Sequence, residues 1–235
     1  MSNNNPVVTD MPSHRKISLA AGILYLLTFV SIPSLAVFYV QVKSANYILG
    51  AGPDTFAIIG GILEIIVALA GIGTAVVLFP LLKKQNEGVS LGLVSSRVLE
   101  AATIFVGVAF ILSIVGLRQA GAGAGALVTS QTLVMLYNSI FLLGQSFLPA
   151  LNDLLLGFLL YQSRLVPRAL SLIGIFGAFP LIAVWIAVMF GLVVQFAPLT
   201  GLAALPVALF ELSLGIWLVV KGFNPEAVAE LESRK

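Results

Sequence analysis

The chain has 235 residues, of which 59% are hydrophobic and 9% charged, with a formal net charge of +2 and a mean hydropathy of +1.08. A soluble domain carries about 25% charged residues, so these few charges cannot cover a water-soluble surface, and the basic residues flank apolar runs rather than forming a nucleic-acid-binding face. With no cysteine, disulfides and thiolate metal sites are excluded.

The apolar residues gather in runs long enough to span a bilayer. They predict an all-α, polytopic membrane protein, a six-transmembrane-helix bundle with both termini inside (N-in/C-in). Residues 1–14, with Asn3-Asn4-Asn5 and Pro12, read as a flexible cytoplasmic tail. The first span, 17–40, follows His14-Arg15-Lys16 and exceeds the 7–15 residues of a signal-peptide core, so it is read as an uncleaved helix. The other spans are placed at 55–82, 89–117, 129–162, 168–194 and 199–221. The transmembrane domain thus covers 15–223, and 224–235 form a polar cytoplasmic tail, short and amphipathic or frayed. Gly121 to Ala126 alternates Gly and Ala as a soft linker and lacks the Lys-Ser/Thr ending of a phosphate-binding loop.

Basic residues set the orientation. Arg15, Lys16, Lys83, Lys84, Arg164, Arg168, Lys221, Arg234 and Lys235 fall on one side, and only Lys43 and Arg118 on the other. Three odd-numbered spans open on similar triplets, Ile17-Ser18-Leu19, Val89-Ser90-Leu91 and Leu170-Ser171-Leu172, a weak sign of repeated hairpins. Pro33, Pro80, Pro149, Pro180 and Pro206 lie within spans and can kink them. Gly71-x-x-x-Ala75 and Gly174-x-x-x-Ala178 are small-residue pairs suited to close helix approach.

In the fourth span a polar pair recurs every seven residues: Gln131-Thr132, Asn138-Ser139, Gln145-Ser146 and Asn152-Asp153. Heptad spacing keeps these pairs near one side, drifting ~20° per heptad, so they predict an interior polar seam. Five ionisable residues also lie within spans: Glu64, Arg97, Glu100, Asp153 and Glu211. Facing lipid, each would cost roughly 2.5–3.5 kcal/mol, so all should face the bundle interior. At ~1.5 Å per residue, Arg97, Glu100, Asp153 and Glu211 share one level toward the cytoplasmic side, while Glu64 lies nearer the outer half. The simplest arrangement holds Arg97 between two of the three carboxylates, whose geometry suits a guanidinium. Four carboxylates against one arginine leave a net of −3, so at least one carboxyl is expected neutral at pH 7; Glu64, with no basic residue near it in sequence or depth, is the choice.

The only histidine, His14, precedes the first span, and no span contains lysine. This excludes a Ser-His intramembrane protease, a histidine-rich zinc hydrolase and a retinal Schiff base. A lone Asp153 excludes the paired aspartates of an aspartyl protease. No catalytic residue, metal site or cofactor is assigned.

Four pieces, in this order, resemble a bacterial integral membrane family, domain of unknown function 4386. They are Arg15 with Gly22 and Tyr25-Leu26-Leu27; Arg97; Ser163-Arg164-Leu165-Val166-Pro167-Arg168; and Glu211-Leu212-Ser213-Leu214 followed by Trp217-Leu218 and Lys221-Gly222-Phe223-Asn224. The resemblance covers about Arg15 to Asn224 and implies six helices in a bacterial cytoplasmic (inner) membrane. Members of the family often carry a histidine in the fourth helix, where this chain has Asn138, Gln145 and Asn152; the resemblance brings no activity.

Three functions fit these residues. The first is binding or passage of a small polar solute or proton at Arg97, Glu100, Asp153, Glu211, Asn152, Gln145, Asn138 and Glu64. The second is a structural or accessory protein acting through helix contacts with a membrane partner or a second copy. The third is a lipid-modifying enzyme using a buried carboxylate. The partners expected are the lipid bilayer and, in the first case, the solute or proton.

Overall fold

The computed structural model describes residues 13–233, and every regular element among them is helical. The helices are α1 (Ser13–Thr28), α2 (Thr55–Leu82), α3 (Glu87–Gln119), α4 (Leu127–Phe141), α5 (Leu148–Ser163), α6 (Arg168–Met189), α7 (Pro198–Val220) and α8 (Pro225–Ser233). Five helical segments are long and apolar enough to cross a membrane: 55–82, 87–119, 123–163, 168–189 and 198–220. Of the N-terminal tail, residues 1–12 lie outside the described residues, as do Arg234 and Lys235, whereas Ser13 and His14 already belong to α1.

The helices close into a ring. α1 packs on α2 and α7, α2 on α3, α3 on α4 and α5, α5 on α6, and α6 on α7. Large apolar side chains such as Leu91, Phe105, Phe176, Phe179, Leu205 and Ile216 are exposed around its outside, the arrangement of helices facing lipid. Inside one end, Tyr25, Leu78, Leu82, Leu156, Leu160, Phe210 and Leu214 form the largest buried cluster. The serines of the three triplets, Ser18, Ser90 and Ser171, are all buried.

Helix ends follow from local chemistry. Asn86 caps α3, its side-chain oxygen accepting from the Val89 amide at 3.0 Å. α6 stops at Met189, short of the expected 194, because Gly191 adopts a positive φ and turns the Leu192 amide back to the Ala187 carbonyl. α7 ends similarly at Gly222 (φ +77°), whose amide reaches the Trp217 carbonyl. Arg15 reaches across from α1 to the carbonyls of Leu218 (2.9 Å) and Val219 (2.5 Å), satisfying that terminus with a positive charge. α8 folds back on the bundle, with Ala227, Val228 and Leu231 buried in the main core.

Two expected helices are irregular. The expected first span is helical only to Thr28; a turn comes next, then one helical turn at Ser31–Pro33 and a π-helical stretch over 34–38. Pro33 has no amide to give the Phe29 carbonyl, which accepts from Ile32 instead. The fourth span is divided by a π-helical segment, Leu142–Phe147, immediately before Pro149. π-turns insert in helices where the regular bonding ladder is disturbed, and Pro149 removes one donor of that ladder. Trp185 donates to the Leu142 carbonyl of the π-helical segment at 3.1 Å, so a neighbouring helix supplies a donor there, and Gln195 adds a second donor to the Asn138 carbonyl at 2.8 Å, which already accepts from the Leu142 amide. By contrast, α2, α6 and α7 run on through Pro80, Pro180 and Pro206.

At the end of the bundle that carries the 43–54 and 119–126 connections, Asp54 joins three partners. Arg118 pairs with it at 3.1 Å, the Tyr47 hydroxyl donates at 2.5 Å and the Gln119 amide at 3.0 Å. Burial alone would raise the Asp54 carboxyl, but these donors and the guanidinium together hold it below the usual carboxylate range. A depressed folded-state value stabilises the protein above the unfolded value and the benefit is lost as pH falls through the folded one. Asp54→Asn should therefore destabilise the protein at pH 7 by less than about 1 kcal/mol, the range for a pair near the surface, and lower its melting temperature accordingly. The deficit should shrink as the pH is taken below 3.8; thermal melts of both proteins across that range check it.

Candidate functional site

The buried charges meet where α1, α2, α3, α5 and α7 face one another. Arg97 and Glu100, three residues apart on α3, share one face, and Arg97 Nη1 donates to Glu100 Oε2 at 3.0 Å. Nη2 donates to Glu211 of α7 at 2.5 Å. Asn152 of α5 donates its side-chain amide to the same Glu100 oxygen at 2.7 Å. The guanidinium lies over the Tyr25 ring of α1, 5.7 Å from its centroid. Gly71 of α2 lies alongside it, and a Cβ there would be in ordinary van der Waals contact with Arg97 Cδ at 4.0 Å.

Asp153 is fully buried beside this cluster, with Glu211, Arg97 and Glu100 the charged groups around it. Neither of its carboxylate oxygens has a hydrogen-bond partner, and Arg97 Nε and Asn152 Oδ1 are likewise unpartnered. Polar atoms this deeply buried normally find a partner in protein or ordered water.

A cavity of about 250 Å³ borders the cluster. Arg97, Glu100, Glu211 and Gln145 line it, as do Thr28, Phe29, Ser31 and Ile32 where the first helix unwinds. Asp153, although buried beside Arg97, Glu100 and Glu211, is not among the residues that line it. A second cavity, about 520 Å³, lies farther along the bundle and is lined by Lys43, Gln145, Ser146, Trp185, Gln195 and Phe196 among others. The two share Phe141, Gln145, Leu181 and Ala204.

The polar seam faces inward only over its lower half. Gln131, Thr132 and Ser139 are exposed, and the two hydroxyls bond to their own helix at Val128 and Met135. Asn138 is half-buried and lines neither large cavity, with its side-chain oxygen unpartnered. The drift of a seven-residue repeat and the π-helical segment together rotate the upper pairs away from the interior.

Glu64 lies apart from the Arg97 cluster, accepting from Gln145 Nε2 at 3.2 Å and bordering a small void with Tyr137 and Gly107. It does have a basic neighbour, Lys43, whose charge acts on it. This corrects the expectation that no basic residue lies near Glu64, since depth along straight helices takes no account of an irregular chain. The irregular chain after Thr28 instead carries Lys43 inward, with its ammonium 4.9 Å from the Tyr137 ring centroid and 4.8 Å from that of Phe196. The sequence gives no site role to Tyr25, which enters only through the family resemblance, or to Trp185 and Gln195; for Gln195, a glutamine in the apolar stretch between α6 and α7 is the available signal.

Ring and cluster define a polytopic helical membrane protein with an arginine–carboxylate centre among its helices. The chain belongs to the family described as Domain of unknown function (DUF4386), which it matches over residues 20–222. No curated protein and no solved structure matches it.

Proposed function

We propose that this protein binds or passes a small polar solute or a proton at Arg97, Glu100 and Glu211, reached by way of Gln145. The observation that carries this reading is the pair of cavities meeting at Gln145, one bordered by the ion pairs and the other by Lys43 and Gln195. Polar side chains at membrane depth are costly and commonly mark ion or substrate paths. Asp153, Asn152 and Glu64 then tune the charge around the path, and Asn138 anchors the helix beside it through its carbonyl.

In this reading α1 and its irregular continuation to Phe38 form a sixth span. Both ends of the chain face the cytoplasm of a bacterial inner membrane, which the nine-to-two bias of basic residues supports. The test is flux in liposomes holding the purified protein. Glu211→Gln keeps the shape of the side chain but removes its charge, and should reduce solute or proton flux at least about ten-fold, the effect of ~1.4 kcal/mol on a barrier, while the fold persists. Unchanged flux would remove Glu211 from the path.

A structural or accessory role is the second reading. It is favoured by the way two carboxylates already hold the Arg97 guanidinium, as in an ion-pair knot that fixes helix assembly.

A further inference from the structure

Three cations converge at the opposite end of the bundle from Lys43. Arg164 and Arg168 flank the connection between α5 and α6, and Lys221 comes directly after α7. Together with Trp217 and Asn224 they line a cavity of about 580 Å³, and no carboxylate is among its lining residues. We propose that this cavity binds the phosphate of an anionic phospholipid headgroup.

Its level in the bilayer fits. Three of the membrane-crossing segments end here, at Ser163, Arg168 and Val220, so the pocket opens where headgroups lie. Trp217 has the amphipathic ring favoured at that depth, and its indole N–H is held by the Gly222 carbonyl at 3.1 Å. The N-terminus of α6, which has no side-chain cap, adds partial positive charge through the amides of its first turn, beginning at Arg168.

The frame is also fixed. Arg164 adopts a left-handed conformation (φ 57°) as the C-cap of α5, its amide bonded to the Leu160 carbonyl. The connection is pinned by Asn224, whose amide donates to the Leu165 carbonyl at 2.9 Å, and by the burial of Leu165 and Val166. Arg168 lies over the Tyr161 ring, 5.0 Å from its centroid. A topology signal requires positive charge on one side of the membrane; it requires neither a shared cavity nor a rigid backbone around it. Basic pockets between helices at a membrane surface are the usual chemistry of phosphate-headed lipid recognition.

Native mass spectrometry of the full chain in detergent, titrated with phosphatidylglycerol and separately with phosphatidylcholine, tests this. The expected result is saturable binding of one phosphatidylglycerol in preference to phosphatidylcholine. The triple variant Arg164→Gln, Arg168→Gln, Lys221→Gln should bind it about a hundred-fold more weakly, and the exposed Lys221→Gln alone about five-fold more weakly. The single variant decides the matter should the triple one not fold. Equal binding of the two lipids, or undiminished binding by Lys221→Gln, would overturn the proposal. Inorganic phosphate displacing the lipid at equal concentration would also overturn it, marking a free-phosphate site.

Discussion

Arg97→Met should cost about 3–5 kcal/mol of stability, the range for removing one partner of a buried ion pair. The variant leaves Glu100 and Glu211 facing each other without their shared cation, in a place where water is scarce. The methionine fills much of the same space, so the loss is one of charge rather than volume. Adding Glu100→Gln and Glu211→Gln to the same chain should recover most of the loss, because three neutral side chains no longer need a counter-ion. Thermal or denaturant melts of the purified protein in detergent read both results. An undiminished melting temperature in Arg97→Met would show that the cluster contributes nothing to assembly. Large loss with full recovery, in a triple variant that still supports flux, would instead favour the assembly role over passage.

Gly22→Val should be the most damaging change in helix packing. A Cβ at Gly22 of α1 would lie 2.8 Å from the Gly215 carbonyl oxygen and 2.9 Å from the Val219 amide nitrogen of α7. These are backbone atoms and cannot rotate away, so the two helices must separate. Overpacking of this kind costs typically 1–3 kcal/mol, and the upper figure, about 3 kcal/mol, applies where nothing flexible yields. The Arg15 bonds to the end of α7 should weaken with it, since they span the same interface. Gly116→Ala is the control: no atom lies within 4 Å of a Cβ there, and an alanine within α3 should leave the melting temperature unchanged or slightly raised. Equal melting temperatures for the Gly22→Val and unaltered proteins would show that α1 and α7 do not approach this closely.

Much of the architecture was legible because hydropathy and helix length are local properties. The span read at 55–82 coincides with α2, and 89–117 lies within α3 with an overhang of two residues at each end. The charge pairing was partly legible for a similar reason. Arg97 and Glu100 are neighbours on any helix, and the distance of Glu211 from its helix end places it at a matching level. Asp153 shows the limit of that argument. Depth along the membrane normal says nothing of rotation about the helix axis, and this side chain does not line the cavity that its neighbours Arg97, Glu100 and Glu211 border.

The prolines mark the same boundary. Pro80, Pro180 and Pro206 sit inside continuous helices, whereas π-helical segments accompany Pro33 and Pro149. In each case a backbone carbonyl loses its ordinary donor, and the local helix geometry then depends on which other groups can donate. In the π-helical segment before Pro149 the additional donor is Trp185, a residue more than thirty positions away in sequence that only packing brings near.

The sequence alone determined that this chain is a helical membrane protein with charges too costly to face lipid, because composition, run length and the free energy of burying a charge require it. Tertiary structure alone decided which polar groups line the cavities. It turned the upper half of the polar seam outward, placed Lys43 within electrostatic reach of Glu64 and set two cavities side by side at Gln145. Those outcomes rest on helix rotation and on irregular backbone bonded by distant side chains, and neither leaves a periodic trace in the sequence.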